Sequence, residues 1–244
     1  MSYKSQLAIA GVDGLSFQFV PDTTQRFALG AIVLATDPYW GGAEFEYVYV
    51  NDTLLQGSLV SIVSTFDSTN LRWRREAKLA ASTAGKGSSL GVALAAATAG
   101  KYAWVQISGL AVVACNASVA ADTTFAVAAT GQGGALANGK QVLNARVAVA
   151  ATATVVKASQ GGVSGGSSIQ VTNSDGWFVG MALTGTGIGA SALVSSISLD
   201  GKTIGVSVVN SAAVTGNITG TYNDGTIYYN ICEMNRPFQQ GQVA

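Results

Sequence analysis

Few residues of this chain have the types and spacing that support chemistry. The 244 residues include no histidine, which removes the commonest general base, the commonest metal ligand and any Ser-His-Asp or Cys-His relay. Carboxylate chemistry remains. Glu44 and Glu46 alternate in "EFEYVYV", which puts them on one strand face about 7 Å apart at ~3.3 Å per residue. That spacing falls loosely in the range of a glycosidase pair. A solvent-facing strand explains it better, because Phe45, Tyr47 and Tyr49 take the other face. The aspartates read as turn residues: Asp13, Asp175, Asp200 and Asp224 precede glycine, and Asp37 precedes proline. Cys115 and Cys232 sit in apolar, strand-like text. Buried thiols are the expectation, with a disulfide left open.

"GTGIGA" (185–190) and "GQGGAL" (131–136) contain G-x-G, but neither opens a helix with an acidic residue downstream, and neither carries a Walker lysine. They read as turn glycines. No catalytic, cofactor-binding or metal-ligating residue is therefore expected, and no cofactor.

Two clusters are suited to contact rather than chemistry. "RWRREAK" (72–78) is the one dense basic run. On a strand Arg72 and Arg74 share one face, and Trp73 and Arg75 the other. Stacking on single-stranded nucleic acid is one use of such a cluster. A solvated face or a protein contact fits better in a chain of zero net charge. "DPYWGGAEF" (37–45) sets Tyr39 and Trp40 in a turn, where aromatics either anchor an interface or cap a core. Tyr39, Trp40, Arg72, Trp73, Arg74 and Arg75 are the candidate protein-interface residues.

The elements that must position them are strands. Period-two alternation marks 44–50, 58–64, 102–107, 141–149 and 226–233, separated by turn clusters such as "WGGA", "NGK" and "NDG". The Ala-rich stretches 90–99 and 109–121 carry interspersed Gly, Val and Thr and no charged i,i+4 pairs, so very little helix is expected. The stretch "AGKYAWVQISGLAVVA" (99–114) reads as two strands joined by a turn at Gly109. Composition is 48% hydrophobic and 11% charged, against roughly a quarter charged in ordinary domains. No apolar run reaches the ~18 residues of a transmembrane helix, and "MSYKSQLAIAGVDG" is too short in apolar text for a secretory signal. Neither a membrane nor a nucleic-acid partner is expected.

From about 158 to 222 the text turns to Ser, Thr, Gly and Val with hardly any charge, after a Gly/Ser run at 159–168 that reads as a linker. The aromatic texture returns after "NDG". The expected organisation is all-β. Residues 1–157 together with 223–244 form a β-barrel or sandwich main domain, and 158–222 form a small β-sandwich module inserted near the C-terminus and projecting from a loop tip.

The order "FALGAIVLATDPYWGGAEFEYVYV", "GSLVSIV", "LGVALAAATAGKYAWVQISGLAVV" resembles small β-rich capsid decoration (cement) proteins of tailed bacteriophages. The likeness covers about 27–150 and resumes at "YYNICEMNRPF" (228–238). "GKYAWVQISGLAVV" is its most specific part. The insert looks like immunoglobulin-like or fibre-type modules of phage structural proteins, through "GMALTGTGIGASALVSSISLDGKTIGVSV". The family shares no catalytic residues, so no site transfers. The resemblance implies head stabilisation on the outer capsid surface of a virion, after assembly in the host cytoplasm. It also implies the major capsid protein as partner and a homo-oligomer, a trimer, with the inserted module free to meet a host-surface glycan. A tail-fibre or spike adhesin component binding such a glycan is the alternative with the same texture.

Overall fold

The computed structural model describes residues 4–5, 20–198 and 200–241. Asp13 and most of the segment weighed as a leader lie outside the described residues. Among those described there is no helix, and all regular structure is β.

The first strands are β1 (Lys4–Ser5), β2 (Ile32–Asp37), β3 (Gly41–Val50), β4 (Leu59–Asp67), β5 (Arg72–Leu79), β6 (Ser89–Ala93) and β7 (Tyr102–Cys115). Five of them close on themselves. β3 pairs in parallel with β5, β5 with β4, β4 with β6, β6 with β7, and β7 again with β3. Alternation then has a simple meaning, because every second side chain points into the barrel. Val48, Val50, Val60, Ile62, Ala77 and Val105 fill it.

β7 corrects the reading of 99–114 as two strands. It is one strand of 14 residues, bent where a turn was expected. Its register against β3 slips by one residue between Gln106 and Ser108, the mark of a β-bulge. Gly109 follows it at φ +90°, and a Cβ there would lie 2.4 Å from the Gly42 carbonyl oxygen. Only glycine fits so close an approach. The Gln106 amide donates to the carbonyls of Ser108 and Leu110, bracing the bend.

Past the bend, β7 changes partner. β8 (Ala126–Ala129), β9 (Gln132–Gly134) and β10 (Val142–Val149) follow, and the chain's last strand, β17 (Tyr228–Gln239), lies between β7 and β10. Phe125, Val127, Val142 and Val147 close a second core against Val113, Cys115 and Met234.

The insert supplies β11 (Thr154–Gly161), β12 (Ser168–Val171), β13 (Ala182–Gly185), β14 (Val194–Ile197), β15 (Thr203–Val206) and β16 (Asn217–Thr221). Their order is β13-β16-β11-β12-β15-β14. The first half of β11 pairs with β16 and its end with β12, across a register shift, so this strand turns the corner between two small layers. The ring closes where Val194 N–H donates to Met181 O at 2.9 Å. Ile169, Trp177, Met181, Leu183 and Ile218 fill the interior. Residues 159–161 finish β11, so the Gly/Ser run is a strand end and a turn, where a linker was expected.

The module does not project freely. It interrupts what is otherwise a β10–β17 hairpin, and its first and last strands pair at Thr154 and Thr221. One continuous core unites Trp177 and Phe178 of the module with Trp40, Phe45, Tyr229 and Ile231 of the larger sheet. The Phe178 ring meets Tyr222 and Tyr229 edge-on at 5.4 and 5.3 Å.

Candidate interaction surface

The acidic pair on β3 is committed to arginines. Arg75 Nε donates to Glu46 Oε1 at 2.7 Å, and Arg236 Nε donates to Glu44 Oε2 at 2.9 Å. Glu46 is buried at 6% exposure, which corrects the solvent-facing reading. Glu44 and Glu46 extend the face that Val48 and Val50 turn into the barrel, so they lie at its mouth rather than outside it. An ionised carboxylate is tolerated there because a guanidinium neutralises it.

Both cysteines are buried and free. Burial pushes the Cys115 thiol up to about 11, against a hydrogen bond from Asn230 Nδ2 at 3.1 Å that favours the thiolate. Burial likewise holds Cys232 well above the ordinary thiol range. Such thiols stay protonated and inert at neutral pH. Among the described residues no cluster of three His, Cys, Asp or Glu side chains is placed to hold a metal ion.

The basic cluster lies on the β4–β5 hairpin, whose far end runs beyond the barrel. β4 and β5 pair from Val60↔Leu79 to Asp67↔Arg72. On one face, Ile62 and Ala77 are inside the barrel, Ser64 and Arg75 sit at its mouth, and Phe66 and Trp73 lie past it. The side that is apolar for barrel packing thus continues into solvent with none of the described residues over it. Phe66 and Trp73 are directly opposed, edge to face at 5.6 Å, and 48% and 71% exposed. Leu71 is 77% exposed at φ +50°, a conformation bulky residues seldom adopt.

The turn that holds them is built. Asp67 Oδ1 accepts from the backbone N–H groups of Thr69 and Asn70, and Oδ2 from the Asn70 side chain. These bonds, the Asn70 side chain's foremost, hold the Asp67 carboxyl below its ordinary range. Behind the tip, Arg74 lies 3.9 Å over the Tyr49 ring and donates to Glu76.

The structure divides the six candidate interface residues. Trp73 and Arg72 are exposed together. Arg74 and Arg75 are half-buried and serve ion pairs within the chain. Trp40 is buried in the core shared with the module, while its neighbour Tyr39 is 51% exposed, its ring edge-on to Trp40 at 5.1 Å. Asp37 Oδ1 caps that turn by accepting from the N–H groups of Tyr39 and Trp40. Phe66 and Leu71 escaped the sequence reading. Alternation in "SLVSIVSTF" does place Phe66 on the face of Ile62, but the hairpin's overrun of the barrel is a tertiary fact.

No protein family, no curated protein and no solved structure matches the chain.

Proposed function

We propose that this chain is a structural protein of a tailed-bacteriophage head, which binds the major capsid protein on the outer surface of the shell and stabilises it. It assembles with the shell in the host cytoplasm and stays on the virion as a homo-oligomer, a trimer in the simplest case. One observation carries the reading: a closed, weakly charged β-barrel holds a rigid hairpin tip whose Phe66, Leu71 and Trp73 have no cover among the described residues. Contiguous exposed apolar side chains on a stiff support are the mark of a protein contact. The sequence resemblance supplies the setting.

The adhesin reading gains less from the geometry. A glycan site needs an exposed aromatic platform, and the module's Trp177, Phe178 and Tyr222 are all buried. Any host-surface glycan would have to meet the module's Ser, Thr and Val surface.

The test is co-sedimentation of the purified protein with phage heads assembled without it, followed by cryo-electron microscopy of the decorated heads. Density on the outside of the shell is the expected result. Density confined to the tail, or no co-sedimentation, overturns the reading.

A further inference from the structure

Among the described residues nearly all arginine and carboxylate charge is paired, whereas Lys86, Lys101, Lys140 and Lys202 are in no ion pair. Five of the six arginines, at 26, 74, 75, 146 and 236, are in ion pairs. Arg72 is exposed and has none. The described carboxylates behave alike: they accept hydrogen bonds from backbone N–H groups, as Asp37, Asp52, Asp67 and Asp224 do, or pair with cations. Asp175 alone has neither, and it is exposed.

Each of these two charges sits beside an exposed aromatic. Arg72 lies between Leu71 and Trp73 on the β4–β5 tip. Asp175 precedes Gly176, where a Cβ would come within 3.2 Å of the Tyr39 hydroxyl. One surface is cationic and aromatic, the other anionic and aromatic. They lie toward opposite ends of β2: Tyr39 follows its last residue, and Arg75 packs on Gly30 just ahead of its first. Six residues of strand separate them by about 20 Å, so the two cannot satisfy one another within a single chain.

We propose that the β4–β5 tip of one copy docks on the Tyr39–Asp175 surface of a second copy. Trp73 and Phe66 then pack on Tyr39, and Arg72 pairs with Asp175. A tip-to-tip arrangement would oppose Arg72 to its own copy and leave both guanidinium groups uncompensated. Donor and acceptor are different surfaces, so the contact is heterologous, and the closed oligomer of the proposed function requires that its rotation close into a ring rather than run on as a filament. The inference rests on the multi-copy part of the proposed function and assigns its contact.

Sedimentation velocity on the full chain tests it. The wild type should associate into a closed oligomer. Trp73→Ala, Arg72→Glu and Asp175→Arg should each weaken association by at least about tenfold. The Arg72→Glu/Asp175→Arg double variant should restore it. Thermal melts accompany each variant, and since all three side chains are exposed the midpoints should stay near wild type. A wild-type monomer up to about 1 mM, or an oligomer indifferent to these changes, overturns the contact. So does failure of the charge swap to rescue. Head binding by a monomer would sink this contact and leave the capsid reading standing. A ring with these sensitivities that ignores phage heads does the reverse.

Discussion

The β2–β3 and β4–β5 hairpins use one device at their tips and meet different fates. In each, an aspartate accepts from two backbone N–H groups of the turn: Asp37 from Tyr39 and Trp40, Asp67 from Thr69 and Asn70. Each displays a pair of aromatic rings edge to face. The inserted module covers the first tip, so Trp40 is 4% exposed; none of the described residues covers the second, and Trp73 is 71% exposed. The exposure of Phe66 and Trp73 therefore reflects a missing neighbour, since the turn beneath them is as well braced as its covered counterpart.

Taking away the cover should have the largest effect. Excising 158–222 and joining Lys157 to Asn223 strips Trp177 and Phe178 from a core they share with Trp40, Phe45 and Tyr229. From sequence alone, a module on a loop tip is dispensable, because β10 and β17 can still pair across a short turn. With the shared core in view, the excised protein should lose its cooperative thermal transition and bind a hydrophobic dye strongly. A sharp transition near that of the intact chain would show that the module merely rests on the barrel.

Point substitutions sharpen the contrast. Phe178→Ala should cost about 3–5 kcal/mol in denaturant unfolding, as truncation of a buried aromatic does. Trp73→Ala should stay within about 0.5 kcal/mol, as exposed sites do. If Trp73→Ala destabilised as much as Phe178→Ala, the tip would be covered in solution and the comparison would collapse.

The all-β class and the main strands were legible because alternation survives wherever one face is buried. The segments 44–50, 58–64 and 141–149 fall on β3, β4 and β10, with ends that differ by no more than three residues. Three things were not legible. Gly109 reads as a turn because φ > 0 at glycine is common to turns and bulges, and only the neighbouring Gly42 carbonyl distinguishes them. Glu46 reads as solvent-facing because its guanidinium partner is 29 residues away in sequence. The six interface residues read alike, yet tertiary packing divides them: Trp40 goes to the core, Arg74 and Arg75 to ion pairs, and Tyr39, Arg72 and Trp73 to the surface.

Thiol reactivity compares the second core of the larger sheet with the tip in another way. Cys115 and Cys232 lie in a core beneath β7 and β17, and burial raises both thiols. A maleimide should leave both unlabelled at neutral pH and label two per chain after denaturation. Labelling of the native protein at a rate matching an exposed thiol would mean that this core opens readily.

The smallest effect is local to the free tip. Asp67 has its pKa lowered in the folded chain, by the Asn70 side chain first and by backbone N–H groups after it. A depressed folded value means that the stabilisation is fully present above the unfolded value of about 3.9 and is lost as pH falls through the folded one. Protonation removes the negative charge that these donors favour, and the turn loosens while the barrel stays closed. Amide protection at Thr69 and Asn70, followed by hydrogen exchange with intrinsic rates divided out, should hold from neutrality to about pH 4 and fall below it. Asp67→Asn keeps an oxygen for the two backbone donors but cannot accept from the Asn70 side chain at its nitrogen, so its protection should be lower and independent of pH. If protection at these amides proved the same at pH 3 as at neutrality, the tip would owe its shape to something other than this carboxylate, most directly to the Phe66–Trp73 ring contact.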